Sequence, residues 1–236
     1  MNTQLISQQL TSKHYFHAVT ISGLVNYENN DRLQFQKHWD RLALDENFAN
    51  YTHRERRLLR YTYQHAKPLE INYDNQYISS VTYNVDYTKG PNELLYVENS
   101  FINDPITQKI IETDIHIFER SFIDKQLTYD LNLHLFRVKA ADGTISPTTS
   151  GIHQDGMDFI CMHFINSQNI MPVASNLYKN NKPYSNFYST CMHNFLETLF
   201  VNDKKIYHSA GEVKQNHLAI PAYRDLLLVT FRSINN

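Results

Sequence analysis

The sequence predicts a mainly β protein with flanking helices, an α+β chain built around a double-sheet jelly roll. Three observations carry that expectation. Helix-like patterns fall early in the chain, whereas strand patterns dominate after about residue 126. The strands follow one another through turns instead of alternating with helices, as a βαβ fold requires. With 6 Gly in 236 residues, the chain also lacks any glycine-rich dinucleotide or phosphate loop.

Taken in order, residues 31–48 and 53–64 carry helix-like patterns. Residues 69–87 alternate and are rich in Tyr, Val and Ile, as strands are. A third helix is signalled by Asn103-Asp104-Pro105, a cap and first-turn proline, followed by Ile111, Ile115, Phe118 and Phe122 at helical spacing. That helix is expected to lie against a sheet. Strand patterns then cover residues 131–139, 152–165, 195–201, 205–208 and 225–232. Turn chemistry separates them at Asp142-Gly143, Asn180-Asn181-Lys182-Pro183 and Asn202-Asp203-Lys204. Without a repeat or a Gly/Ser linker, the expectation is one domain spanning 1–236, helix-rich over 1–125 with its jelly-roll core from about 126 to 236.

Hydrophobic residues make up 42% and aromatics 13%, enough for a sizeable core without staples. A net charge of -2 and a pI near 6.6 give no footprint for nucleic acid or a membrane surface. Arg54, Arg56, Arg57 and Arg60 cluster beside Glu55, Leu58 and Leu59. They read as a charged helix face or internal ion pairs, the alternative being a site for an anionic substrate group. Cys161 and Cys191 are the only cysteines, which fits a reducing compartment. With no leader pattern and no apolar run of membrane-spanning length, the cytoplasm is the expected location.

A metal-binding His-x-Asp needs both side chains on one side of the backbone, which an extended strand provides. His153-Gln154-Asp155 opens a run of β-branched and aromatic residues and meets that condition. His38-Trp39-Asp40 and His53-Arg54-Glu55 have the same spacing but fall in expected helices, where i and i+2 diverge. His208, in a short strand after a turn, is the expected third ligand. His163 shares the parity of the pair but lies too far along, so it reads as an inward core or supporting histidine. His193 and His217 read as surface residues. Two imidazoles and a carboxylate on one face of iron(II) leave positions open, as non-haem oxygenases use them; a zinc hydrolase needs only one. Arg224, at the mouth of the apolar strand 225–231, can hold a carboxylate in a bidentate pair. Its structural alternative is an ion pair to Asp203 or Asp225.

These residues resemble a known family. Gly151-Ile152-His153-Gln154-Asp155-Gly156 with His163-Phe164-Ile165-Asn166, then Ile206-Tyr207-His208, then Tyr223-Arg224-Asp225 and the run to Phe231, look like the bacterial 2-oxoglutarate/Fe(II)-dependent dioxygenases that include L-isoleucine 4-hydroxylase. Weaker similarity runs through Leu133–Arg137, the helix after Pro105 and the stretch around Arg56 and Tyr61, leaving about thirty N-terminal residues unmatched. The resemblance implies a double-stranded β-helix, Fe(II) on His153, Asp155 and His208, and Arg224 on the distal carboxylate of 2-oxoglutarate. It implies decarboxylation of that cosubstrate to succinate, with O2 consumed and a substrate hydroxylated. The implied substrate is a small molecule, a free aliphatic L-amino acid. Arg137 is the candidate for an anionic group near the pocket, or else a structural ion pair; Met157 and Phe159 belong to the pocket wall or to the core. The polar segment 179–182 departs from the family pattern and is a candidate cover for the site. Alternatives are the same chemistry on a peptide or carrier-bound residue, a cupin-type metalloenzyme not using 2-oxoglutarate, and a lectin-like binding module. A monomer or homodimer is expected.

Overall fold

The computed structural model describes residues 2–46, 53–74, 76–77, 92–140, 144–145 and 151–234. The Asp142-Gly143 turn, residues 47–48 of the first expected helix and residues 75 and 78–87 of the first expected strand lie outside them.

Helix α1 (Thr3–Lys13) starts where the Asn2 side chain accepts the Leu5 N–H, and stops at His14 in the left-handed region. Strand β1 (Tyr15–Ala18), helix α2 (Asn29–Gln36), a 3-10 turn (Lys37–Arg41) and the short β2 (Ala43–Leu44) follow. Next come β3 (Arg54–Gln64), β4 (Glu70–Ile71), β5 (Gln76–Tyr77), β6 (Asn92–Glu93) and the short α3 (Asn99–Ile102). Helix α4 (Pro105–Ser121) is capped by Asp104, whose side chain accepts the Ile106 N–H, with Pro105 in its first turn, as the sequence leads one to expect. The remainder is strand: β7 (Thr128–Lys139), β8 (Thr144–Ile145), β9 (Phe159–Gln168), β10 (Ser175–Tyr178), β11 (Asn186–Thr190), β12 (Thr198–Val201), β13 (Tyr207–Ala210), β14 (Val213–Lys214) and β15 (Tyr223–Ile234). One further 3-10 turn (Pro183–Ser185) interrupts this run.

Among the described residues the large antiparallel sheet has the order β1-β12-β9-β15-β7-β3-β2, with β4 on β3. A smaller sheet, β11-β10-β13, and the pairs β14-β8 and β5-β6 complete the strands. Alternation divides the large sheet into two faces. Leu131, Leu133 and Leu135 of β7, Phe159, Cys161 and Ile165 of β9, and Leu227, Val229 and Phe231 of β15 pack with α1, α4, Phe35 and Trp39. Stacked rings run through this layer, Phe118 lying 4.4 Å from Phe231 and 5.9 Å from Phe159. On the other face, Phe164 and Leu226 meet Leu177 and Ile206 from the small-sheet side. The sandwich therefore has two cores, and the space between its sheets opens on polar residues of β3, β7 and β15.

Four expected elements differ. Residues 53–64 form strand β3, with Arg54, Arg56 and Arg60 buried. Both of its faces are covered, so no polar and apolar alternation shows in the sequence. The first helix ends at Gln36: beyond it the Trp39 indole donates to the Phe136 and Leu226 carbonyls, which fixes the 3-10 turn, and Leu42 is already extended. The strand expected from residue 152 begins only at Phe159, because Gly151 (φ 62) and Gly156 (φ 78) hold left-handed conformations that break it. Likewise Leu196 (φ 58) delays the 195–201 strand to Thr198. The segment 179–182 is the exposed turn between β10 and β11, closed by hydrogen bonds among Asn180, Lys182 and Ser185. No helix among the described residues is long and apolar enough to cross a membrane.

Candidate metal centre

His153 lies just outside a strand, yet its N–H and C=O bond reciprocally with those of His208 at 3.0 and 2.8 Å. This single bridge sets the ligand loop against β13 and brings the two imidazole rings to 4.5 Å between centroids. The backbone then turns through Asp155 and Gly156. His153 Nε2 stands 3.4 Å from Asp155 Oδ1, and His208 Nε2 3.4 Å from Asp155 Oδ2. A single donor atom from each of the three falls within 4.8 Å of the others.

The donor set fits a divalent ion. Ligand atoms held about 2.1 Å from a shared ion stand roughly 3.0–3.5 Å apart for right-angle to tetrahedral coordination. His153 Nδ1 is 3.0 Å from the Gly151 carbonyl oxygen, which can only accept; Nδ1 therefore carries a proton, and Nε2 is the ring nitrogen left to take a metal. Burial opposes charge on Asp155, but the two imidazoles outweigh it and hold the carboxyl well below its ordinary range.

Arg224 approaches from the large sheet. On β15 it is paired with Val138 on one side and Ser167 on the other, and its side chain points between the sheets, where Nη2 donates to Ser175 Oγ at 3.4 Å. Ser175 lies opposite Ala210, and Leu177 opposite His208, so the arginine head meets the small sheet one two-residue step from His208, roughly 6.6 Å along the strand. Among the described residues no carboxylate pairs with it: Asp225 is turned to the other face, and Asp203 faces His208. Burial of the unneutralised guanidinium pulls its pKa down to about 10. A buried cation at this position has the chemistry of a carboxylate receptor.

Asp203, read from sequence only as a turn residue and possible partner of Arg224, is fully buried. It accepts the Met157 N–H at 2.9 Å and stands 3.5 Å from His208 Nδ1; burial pushes its pKa up to about 6. His134, on the site face of β7, bonds Arg56 Nη2 through Nδ1 at 2.7 Å. Burial first and Arg56 second hold this imidazole well below its ordinary pKa, so it is neutral.

The remaining expected residues separate. Arg137 alternates with Leu131, Leu133 and Leu135 and so lies on the helix-covered face. There its guanidinium takes both oxygens of Asp225 at 2.7 and 2.8 Å, contacts Asp40, and stacks on Tyr223. The ion-pair reading describes it, and it does not face the metal ligands. Phe159, fully buried in the aromatic stack, belongs to the core on that same face: the glycine break at 156 uncouples its parity from that of His153. Met157 packs with Leu58, Leu94 and Ile160 on the site side. His163 is fully buried between Asp114 (2.9 Å) and Thr198 (2.8 Å). His193 and His217 are exposed. His38 bonds Asp104 while Asp40 bonds Arg137, so that pair converges on nothing. Glu55 pairs with Lys139 from a strand, where a helix was expected. Arg54 and Arg56 pair with Asp45, and Arg60 with Asp130 and Asp74.

Comparison with known proteins adds the family. The L-isoleucine-4-hydroxylase of Bacillus thuringiensis is 29% identical over 159 residues, or 66% of this chain and 65% of that protein; the match thus spans somewhat less than two thirds of that relative's length. The crystal structure of IDO from Bacillus thuringiensis gives a TM-score of 0.83 at 21% identity, covering 100% of this chain and 97% of that one. A bsmA homologue from Methylobium petroleophilum PM1 gives 0.84 at 20% identity, covering 99% and 94%. At these identities the likeness speaks to the fold, a double-stranded β-helix. A family model described as 2OG-Fe dioxygenase matches residues 36–230, a span that takes in the ligand loop, β13 and the arginine of β15, and the chain belongs to that family.

Proposed function

We propose that the chain is a non-haem Fe(II)/2-oxoglutarate dioxygenase that hydroxylates the side chain of a small free L-amino acid, an aliphatic one in preference. The observation that carries this reading is the pairing of two features between the sheets. One is a three-donor cluster on one side of a space; the other is a buried guanidinium lacking a carboxylate among the described residues, one strand step away. An extended five-carbon chain with bonds of about 1.5 Å is about 5 Å long, which suits that step.

On this reading His153, His208 and Asp155 hold the ion through two Nε2 atoms and a carboxylate oxygen. Arg224 neutralises the distal carboxylate of 2-oxoglutarate, and Ser175 steers the guanidinium. Bound together, iron(II), 2-oxoglutarate and dioxygen supply the oxidation: a substrate C–H becomes C–OH while 2-oxoglutarate leaves as succinate and carbon dioxide. The chain contributes position and exclusion of water. Leu58, Leu94, Met157, Ile160 and Leu228 form an apolar group on the site face beside His134, and this supports an aliphatic substrate. Met157 lines the substrate side of this group, whereas Arg137 and Phe159 face the helices. The free thiols of Cys161 and Cys191 suit a reducing cytoplasm. The unbroken β15, paired along most of its length on both sides, supports a single domain.

The test is succinate release by anaerobically iron-loaded protein, with ascorbate and oxygen, across the twenty free L-amino acids. Stimulation by an aliphatic member that gains one oxygen atom is the expected result. Binding of 2-oxoglutarate without stimulation would move the search to peptides and carrier-bound residues; failure to bind it would remove the proposal.

A further inference from the structure

We infer that Asp203 is a positioning residue of the metal centre: its carboxylate fixes the ring tautomer of His208 and ties the loop bearing Asp155 to the strand bearing His208. This rests on the metal reading above and extends it to a residue that contacts no ion.

Three observations converge on Asp203. It is fully buried, in the turn between β12 and β13, where an ordinary turn aspartate would face water. One oxygen, Oδ2, accepts the Met157 N–H at 2.9 Å. The Gln154 amide donates to the Asp203 backbone carbonyl. The loop that delivers a ligand is thus held by Asp203 on both sides of Asp155, at Gln154 and at Met157. The other oxygen, Oδ1, has no hydrogen-bond partner, and neither has His208 Nδ1; both atoms are buried, and they stand 3.5 Å apart.

Two orphaned polar atoms facing each other carry information about protons. If Nδ1 were the unprotonated ring nitrogen, two acceptors would confront each other in a buried site with no donor between them. With the proton on Nδ1, one donor meets one acceptor, and Nε2 is the nitrogen left to share an ion with Asp155. His153 reaches the same tautomer through the Gly151 carbonyl, a neutral acceptor. His208 has a carboxylate instead, which makes the imidazole the more basic ligand. Asparagine at 203 would keep an oxygen for the Met157 N–H and turn its NH2 to Nδ1. That arrangement favours the Nε2–H tautomer, which cannot ligate.

The experiment uses the full-length chain, wild type and Asp203→Asn, titrated with Co(II) and followed by its visible d–d absorption, with the metal-free melting temperature measured in parallel. We expect Co(II) affinity to fall 10–100-fold while the metal-free melting temperature stays within a few degrees. Equal affinity in the two proteins would overturn the role of Asp203 and leave the metal reading intact. An absence of Co(II) binding by the wild type would overturn both. Should the variant not fold, Zn(II)-loaded wild type with 15N-labelled histidine decides the matter. A His208 Nδ1–H protected from exchange supports the assignment, and rapid exchange of that proton overturns it.

Discussion

Replacing Arg224 with methionine separates stability from function in a way few other substitutions here do. The guanidinium is buried and, among the described residues, keeps one side-chain hydrogen bond, to Ser175 at 3.4 Å. A fall in pKa from 12.5 to about 10 corresponds to roughly 3 kcal/mol of unfavourable burial. The sign follows from linkage: a base whose folded pKa lies below its unfolded one is held protonated at a cost, and at pH 7 that cost is present in full. Methionine has a similar reach and no charge. Its gain is offset by loss of the Ser175 bond, about 1.5 kcal/mol for a charged donor. The net is a stabilisation of about 1–2 kcal/mol, or roughly 2–4 °C in melting temperature per kcal/mol for a chain of this size. The same change removes the partner of a buried carboxylate, worth about 3–5 kcal/mol, so 2-oxoglutarate affinity should drop by at least about 100-fold. Differential scanning calorimetry without ligands and isothermal titration with 2-oxoglutarate read the two effects separately. A variant that melts lower than wild type and binds 2-oxoglutarate normally would refute the reasoning.

His153→Ala and Asp155→Ala should each abolish iron retention and turnover with the fold kept, as judged by iron content and circular dichroism; unchanged turnover in either would contradict the ligand assignment. Phe159→Ala should destabilise by about 3–5 kcal/mol through the ring stack with Phe118, Phe200 and Phe231, leaving KM for the amino acid unchanged at a temperature where the variant is folded. Arg137→Met should destabilise by about 3–5 kcal/mol because Asp225 is left buried and unpaired, and adding Asp225→Leu should recover much of that in a double-mutant cycle. Burial alone would raise the Glu197 carboxyl, but the His193 and Asn194 N–H groups and the His17 ring outweigh it and hold it below its ordinary 4.5. Its contribution is therefore complete above pH 4.5 or so and is lost as pH falls through the lower folded value. Acid unfolding of Glu197→Gln, followed by fluorescence, should show a shallower loss of stability below that pH.

Much of the jelly roll is legible because β7 alternates over a long run, β15 carries a continuous apolar run and α4 has an explicit cap. The ligand set was legible for a different reason: His153, Asp155, His208 and Arg224 stand beside recognisable strands and turns. The sequence suggests a strand for His153 and Asp155, whereas the two residues sit in a glycine-bounded loop. Their convergence comes from one bridge to His208 and from Asp203, neither of which a period-2 pattern encodes. Strand β3 was misread because its arginines are buried in ion pairs, so that charge did not mark a solvent face. Phe159 shares the parity of His153 in the sequence, a relation that holds within one strand and fails across the left-handed Gly156, whereas Arg137 has the parity of the β7 leucines and faces the helices with them. Asp203 looked like ordinary turn chemistry; only its burial and its orphaned oxygen distinguish it.

The most direct test of the central reading is turnover under 18O2 with 2-oxoglutarate and an aliphatic L-amino acid, followed by mass spectrometry of both products. The account predicts succinate carrying one 18O atom for each 2-oxoglutarate consumed, and hydroxylated amino acid carrying the other, with neither product formed by Asp155→Ala. Amino acid left unmodified while 2-oxoglutarate is neither bound nor decarboxylated, or succinate lacking the label, would contradict it.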